Sequence, residues 1–136
     1  MITRLSHVSF FVLDQEKAKD FYVNKLGFEI RKNVQIPGQG TWLLVAPKGQ
    51  NIEITLIPVT FEMMFKKDTA QKLEELIKAK AFGYGVFECK DIFATCEELK
   101  SKGVVFLKEP IPGSMEPQAI FQDDSGNFLG LCQASK

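Results

Sequence analysis

Apolar and polar residues alternate from position 4 to 13 (RLSHVSFFVL), the pattern of a half-buried strand, and Asp14 follows where a helix cap is needed. In QEKAKDFYVNKLG the apolar positions Ala18, Phe21, Tyr22 and Leu26 recur at helical spacing, and Gly27 supplies a left-handed stop. Strands are predicted over 28–36, 41–46 (TWLLVA) and 51–58 (NIEITLIP), separated by turns at PGQG and PKGQ. A helical segment covers 68–80, with Leu73, Leu76 and Ile77 on one side. The order then recurs. The strand YGVFEC leads to a helix that opens at Asp91, carries Ile92, Cys96 and Leu99 in phase, and stops at Gly103. VVFL, a proline-containing loop over 109–117, AIFQ, the turn DDSGN and FLGLCQ complete the pattern.

The elements therefore read β-α-β-β-β twice. A shift of 77 residues superposes Phe10 on Phe87, Asp14 on Asp91 and Gly49 on Gly126, and brings Gly27 within one residue of Gly103. The chain is read as one domain over 1–136: module one at 1–58, an inserted helical segment at 59–80, and module two at 81–136.

Composition narrows the function classes. Apolar residues make up 45% and charged residues 25%, as in an ordinary soluble globular protein. Lys plus Arg equals Asp plus Glu at 17 each, so no excess charge is available for polyanions, and neither nucleic acid nor a membrane is expected as a partner. No stretch approaches the ~20 apolar residues of a membrane span. The opening MITRLSHVSF goes straight into a strand pattern without the build of a secretory signal. Cys89, Cys96 and Cys132 form no close pair, which fits reduced, buried thiols in a cytoplasmic protein.

The opening LSHVSFFVLDQEKAKDFYVNKLGFE resembles the first module of the vicinal oxygen chelate superfamily, which includes glyoxalase I, extradiol dioxygenases and the fosfomycin- and bleomycin-resistance proteins. FECKDIFATCEELKSKGVVFLKEP resembles the start of its second module, and FQDDSGNFLGLCQ its closing hairpin. The resemblance implies an α+β fold of two tandem βαβββ modules, a curled mixed sheet around a shared cleft, and a homodimer. In the metalloenzymes of that superfamily a divalent ion sits on the cleft floor, held by one residue from the first and one from the fourth strand of each module.

Carried over by position, the module-one stations fall on His7, the only histidine, and on Glu53. Adding the 77-residue offset places the module-two stations on Tyr84 and Gly130. Glycine has no ligating side chain and a neutral phenol is a weak ligand, so only half of a metal shell is present. Alternation puts His7, Ser9, Phe11, Glu53 and Thr55 on the cleft face, and leaves Val8, Phe10, Val12, Ile52, Ile54 and Leu56 for the helix side.

Three functions follow. The first is a protein that binds a small aromatic or apolar molecule without a cofactor, on a cleft lined by Phe11, Trp42, Thr55, Tyr84, Val86 and Phe128. The second is a metal-dependent lyase or dioxygenase of glyoxalase type, with a divalent metal on His7 and Glu53. The third is metal-free acid–base chemistry by His7, Glu53 and Tyr84. FEMMF (61–65) in the insert either closes over a ligand or packs in the core or a dimer interface.

Overall fold

The computed structural model describes residues 1–135, and Tyr84 by its backbone alone. Asp14 and Asp91 both act as the caps their positions suggested. Each carboxylate accepts from the backbone N–H three residues on, Lys17 and Ala94, at 3.0 Å. They open α1 (Gln15–Asp20) and α3 (Ile92–Ser101). The first helix changes character at Phe21–Lys25, which forms a π-turn closed by Leu26 N–H to the Phe21 carbonyl at 3.1 Å. Phe21 and Tyr22 are adjacent and both buried there, so the widened turn keeps two neighbouring rings on the inner side.

Eight strands complete the chain: β1 (His7–Val12), β2 (Glu29–Ile36), β3 (Gly40–Ala46), β4 (Glu53–Pro58), β5 (Tyr84–Cys89), β6 (Phe106–Lys108), β7 (Gln118–Gln122) and β8 (Phe128–Gln133). They form two four-stranded mixed sheets of identical topology, β1-β4-β3-β2 and β5-β8-β7-β6. β1 runs parallel to β4, and β5 to β8, as a βαβ crossover requires. The insert contributes α2 (Lys67–Lys78) between the modules.

The duplication holds through β5 and α3 but not to its end. His7 pairs with Glu53 in module one, whereas Tyr84 pairs with Phe128 in module two. Phe128 lies 75 residues after Glu53, so the constant 77-residue offset is corrected for β8. The physical reason is unequal loop length: a repeat offset survives only as far as the connections keep their residue count.

The helix-side faces come out as alternation required. Val12, Ile54, Leu56, Leu129 and Leu131 are buried in one core with Ala18, Phe21, Tyr22, Ile92, Cys96 and Leu99, and Val8 and Phe10 pack against it. A second buried group lies outside that core. Leu44, Ile57, Val59, Phe61 and Ile77 are each at most 6% exposed, and Leu44 and Ile57 belong to the opposite face of the first sheet. The insert therefore gives that face a cover of its own.

The modules meet along the open edges of β1 and β5. The Phe10 ring fills the space beside Gly85, where a Cβ would stand 2.8 Å from its Cζ. Phe28 meets Phe87 edge-on at 5.3 Å, and Phe11 stacks on Phe82 at 5.9 Å. The turn DDSGN then ties module two to the end of β1. Asn127 Nδ2 donates to the Phe11 carbonyl at 2.8 Å, and Leu13 N–H donates to Ser125 Oγ at 2.9 Å.

Candidate functional site

The parallel register of β1 and β4, extended through β3, arranges the outer face of the first sheet in three rows. His7 stands beside Glu53; Ser9 beside Thr55 and Leu44; Phe11 beside Ile57, with Trp42 two residues from Leu44 on the same face. The first row is polar and open, since His7 is exposed and Glu53 half-buried. The third is apolar and covered: Phe65 meets Phe11 edge-on at 5.2 Å, and Phe61 lies 6.4 Å from Trp42. Between them, Thr55 is 1% exposed and its hydroxyl has no hydrogen-bond partner among the described residues.

His7 and Glu53 are thus brought together as backbone neighbours. Among the described residues the His7 ring contacts Ser6 instead of the carboxylate, with Oγ and Nδ1 2.6 Å apart. The module-two stations are Tyr84 and, by the corrected register, Phe128. The side chain of Tyr84 lies outside the described part of the structure. A phenyl ring cannot ligate, so His7 and Glu53 have no complementary pair for a four-donor shell. Among the described residues no three His, Cys, Asp or Glu side chains are grouped to hold an ion.

A cavity of about 1030 Å³ runs along the facing edges of β1 and β5. Its walls include Phe10, Phe11, Phe28, Phe82, Val86 and Phe87. Lys48 and Gln50 from the β3–β4 turn and Glu88 from β5 add polar groups. Of the ligand residues expected from sequence, Phe11 and Val86 line this space. Trp42 lies instead against Phe61 of the insert, Thr55 is buried outside this lining, and Phe128 is half-buried at the start of β8. Phe10, Phe28 and Phe87 escaped the sequence reading: alternation assigns Phe10 to the helix side, and no pattern singles out the other two. They line the cavity because the two modules do not close fully between β1 and β5. Ile52 likewise stays 49% exposed on this wall.

A buried polar knot lies outside this lining. Asp123, 4% exposed, accepts five hydrogen bonds: from the N–H groups of Ser125, Gly126 and Asn127 on Oδ1, and from Tyr22 Oη–H and Asn127 Nδ2 on Oδ2, all at 2.8–3.0 Å. A carboxylate this well satisfied is stable without water. It also holds the Tyr22 phenol protonated: burial, then the Asp123 charge, raise its pKa well above the usual tyrosine value. The sequence identified Asp123 as a local turn residue and missed Tyr22, which lies 101 positions away.

The neighbouring Asp124 faces a second cavity of about 590 Å³ with Glu16, Asp20, Lys17 and Lys25. Burial and the Asp123 charge push its carboxyl up to about 7. Of the cysteines, Cys96 is buried and its thiol is raised to about 11 by burial, as suits a packing residue. Cys89 and Cys132 are half-buried, and the Cys89 thiol is raised chiefly by burial too.

Known proteins give this geometry a context. The chain is 36% identical over 131 residues to YetH of Bacillus subtilis (strain 168), covering 96% of this chain and 98% of that one. It is 26% identical to a probable lactoylglutathione lyase of Vibrio cholerae, over 96% of this chain and 90% of the other. Among solved structures, UcmS2 superposes with a TM-score of 0.88 at 39% identity, over 97% of this chain and 98% of that one. TnmS3, an antibiotic binding protein from Streptomyces sp. CB03234, superposes with a TM-score of 0.73 at 33% identity, over 98% of both chains. With residues 4–131 matching its family model, the chain belongs to the Glyoxalase/Bleomycin resistance protein/Dioxygenase superfamily.

Proposed function

We propose that the protein binds a small aromatic or apolar molecule between its two modules, without a metal, as a cytoplasmic homodimer. The observation that carries this is the cavity of about 1030 Å³ with Phe walls on both sides, at the upper end of the size range of small-molecule sites. Flat aromatic side chains accept a planar ligand by stacking or edge contacts, and the few polar groups at its rim fix orientation. The likeness to TnmS3, described as antibiotic binding, supports the same class of ligand.

The test is calorimetric titration with a panel of planar aromatic compounds, repeated on Phe87→Ala. Saturable binding by at least one compound, weakened about tenfold or more in the variant, is the expected result. No binding by any of them counts against the proposal.

The likeness to the Vibrio cholerae lyase favours a second reading, a metal-dependent enzyme using His7 and Glu53. Metal analysis of protein purified without chelators separates the two. Much less than one equivalent of zinc, nickel, iron or manganese per chain is expected; a full equivalent lost on His7→Ala supports the second reading.

A further inference from the structure

We propose that residues 61–65 are a lid over a concealed subsite on the outer face of the first sheet, where Thr55 recognises an oxygen substituent on an aromatic ligand. The inference rests on the small-molecule reading above and adds the chemistry that the ligand must carry.

Thr55 is the starting point. It is 1% exposed, yet among the described residues its hydroxyl has no partner. A buried hydroxyl without a hydrogen bond is a standing cost to the fold, and a bound molecule that brings a polar atom to it relieves that cost. Its neighbours on the same face are Ser9 and Leu44 across the strands, and Glu53 and Ile57 along β4.

One short segment forms the part of the cover that lies over Trp42 and Phe11. Phe61 touches Trp42 on β3 and Phe65 touches Phe11 on β1, so the segment crosses β4 between them. Phe11 is also stacked on Phe82, their planes 16° apart. Phe65 thus completes a three-ring group whose other two members belong to the module framework. If Phe65 swings out, a ring-sized place opens against Phe11. That place lies one row from Thr55, or about 7 Å along the strand. A fused bicyclic ring carrying a hydroxyl or carbonyl spans that distance, with its oxygen at the threonine.

The segment is built to move. Phe61 is its buried anchor, while Met63 and Met64 are 67% and 49% exposed. Beyond its own local turn, the described polar tie is the Met63 N–H to Gln39 Oε1 bond of 3.0 Å, reaching the β2–β3 turn. Few buried contacts and flexible thioether side chains are the properties of a segment that opens locally.

Naphthol and naphthalene are the probes, titrated by calorimetry into the wild-type protein, Thr55→Val and Thr55→Ser. The wild type should bind naphthol about five- to tenfold more tightly than naphthalene, the worth of one hydrogen bond. Thr55→Val should erase that preference and Thr55→Ser should keep it. The single Trp42, labelled as fluorotryptophan, should shift its fluorine resonance with either probe, because the departure of Phe65 shifts the segment and with it the Phe61 ring above the indole. Equal binding of both probes by the wild type, or a preference that survives in Thr55→Val, overturns the subsite and leaves small-molecule binding in place. Binding with an unmoved fluorine resonance overturns the lid. Binding of neither probe overturns the subsite, and titration with the wider aromatic panel then decides the broader reading separately.

Discussion

Two side chains illustrate what a single hydrogen bond does in this fold. Tyr22 is fully buried and its hydroxyl donates to a buried carboxylate. Tyr22→Phe removes a donor from a charged acceptor, so urea denaturation should register a loss of about 2 kcal/mol. Thr55 is the opposite case, a buried hydroxyl without a hydrogen-bond partner among the described residues. Thr55→Val keeps a similar outline and deletes the orphan, and should stabilise the free protein by about 1 kcal/mol in the same measurement. A residue that weakens the fold where it stands, and whose replacement lowers ligand preference, has a role other than packing. Both side chains also mark where the sequence stops being informative. The alternation around Thr55 was legible because a strand's two faces are fixed by its own residues. The partner of Tyr22 was not, because it comes from the far end of the chain.

At the scale of elements, local signals carried the reading well. Asp14 and Asp91 were legible as caps because a cap bonds within three residues of itself, and Gly103 as a stop because its φ of 87° is one that glycine adopts freely. β8 was legible as a strand but not in its pairing, since the offset drawn from earlier landmarks had to cross loops of different length. The DDSGN turn also gives a pH signature. The Asp124 carboxyl is raised from 3.8 to about 7 in the fold, so between about pH 4 and 7 the unfolded chain releases a proton that the folded chain retains. Stability from this group is present below that window and is lost as pH rises through it. The Asp124 carboxyl sits in the second cavity while the residue as a whole stays open to solvent, so screening keeps the effect small. Asp124→Asn should therefore gain on the wild type in urea midpoint at pH 8 relative to pH 5; an equal difference at the two pH values argues against the shift.

For the molecule as a whole, the doubled topology was readable and the space between its halves was not. Composition indicated many rings, 12 Phe in all, but a cavity depends on how closely β1 and β5 approach, which no periodicity records. The same junction limits how far the chain can be treated as two copies of one unit. Module two lends Ser125 and Asn127 to the backbone at the end of β1, and Asp123 to Tyr22. A fragment of residues 1–66 should lack cooperative unfolding by circular dichroism, because it would expose Tyr22 and strand the last groups of β1. Those hydrogen bonds make the dependence one-sided: two halves of like topology differ in that module one finishes its first strand and buries its tyrosine hydroxyl on groups that only module two supplies.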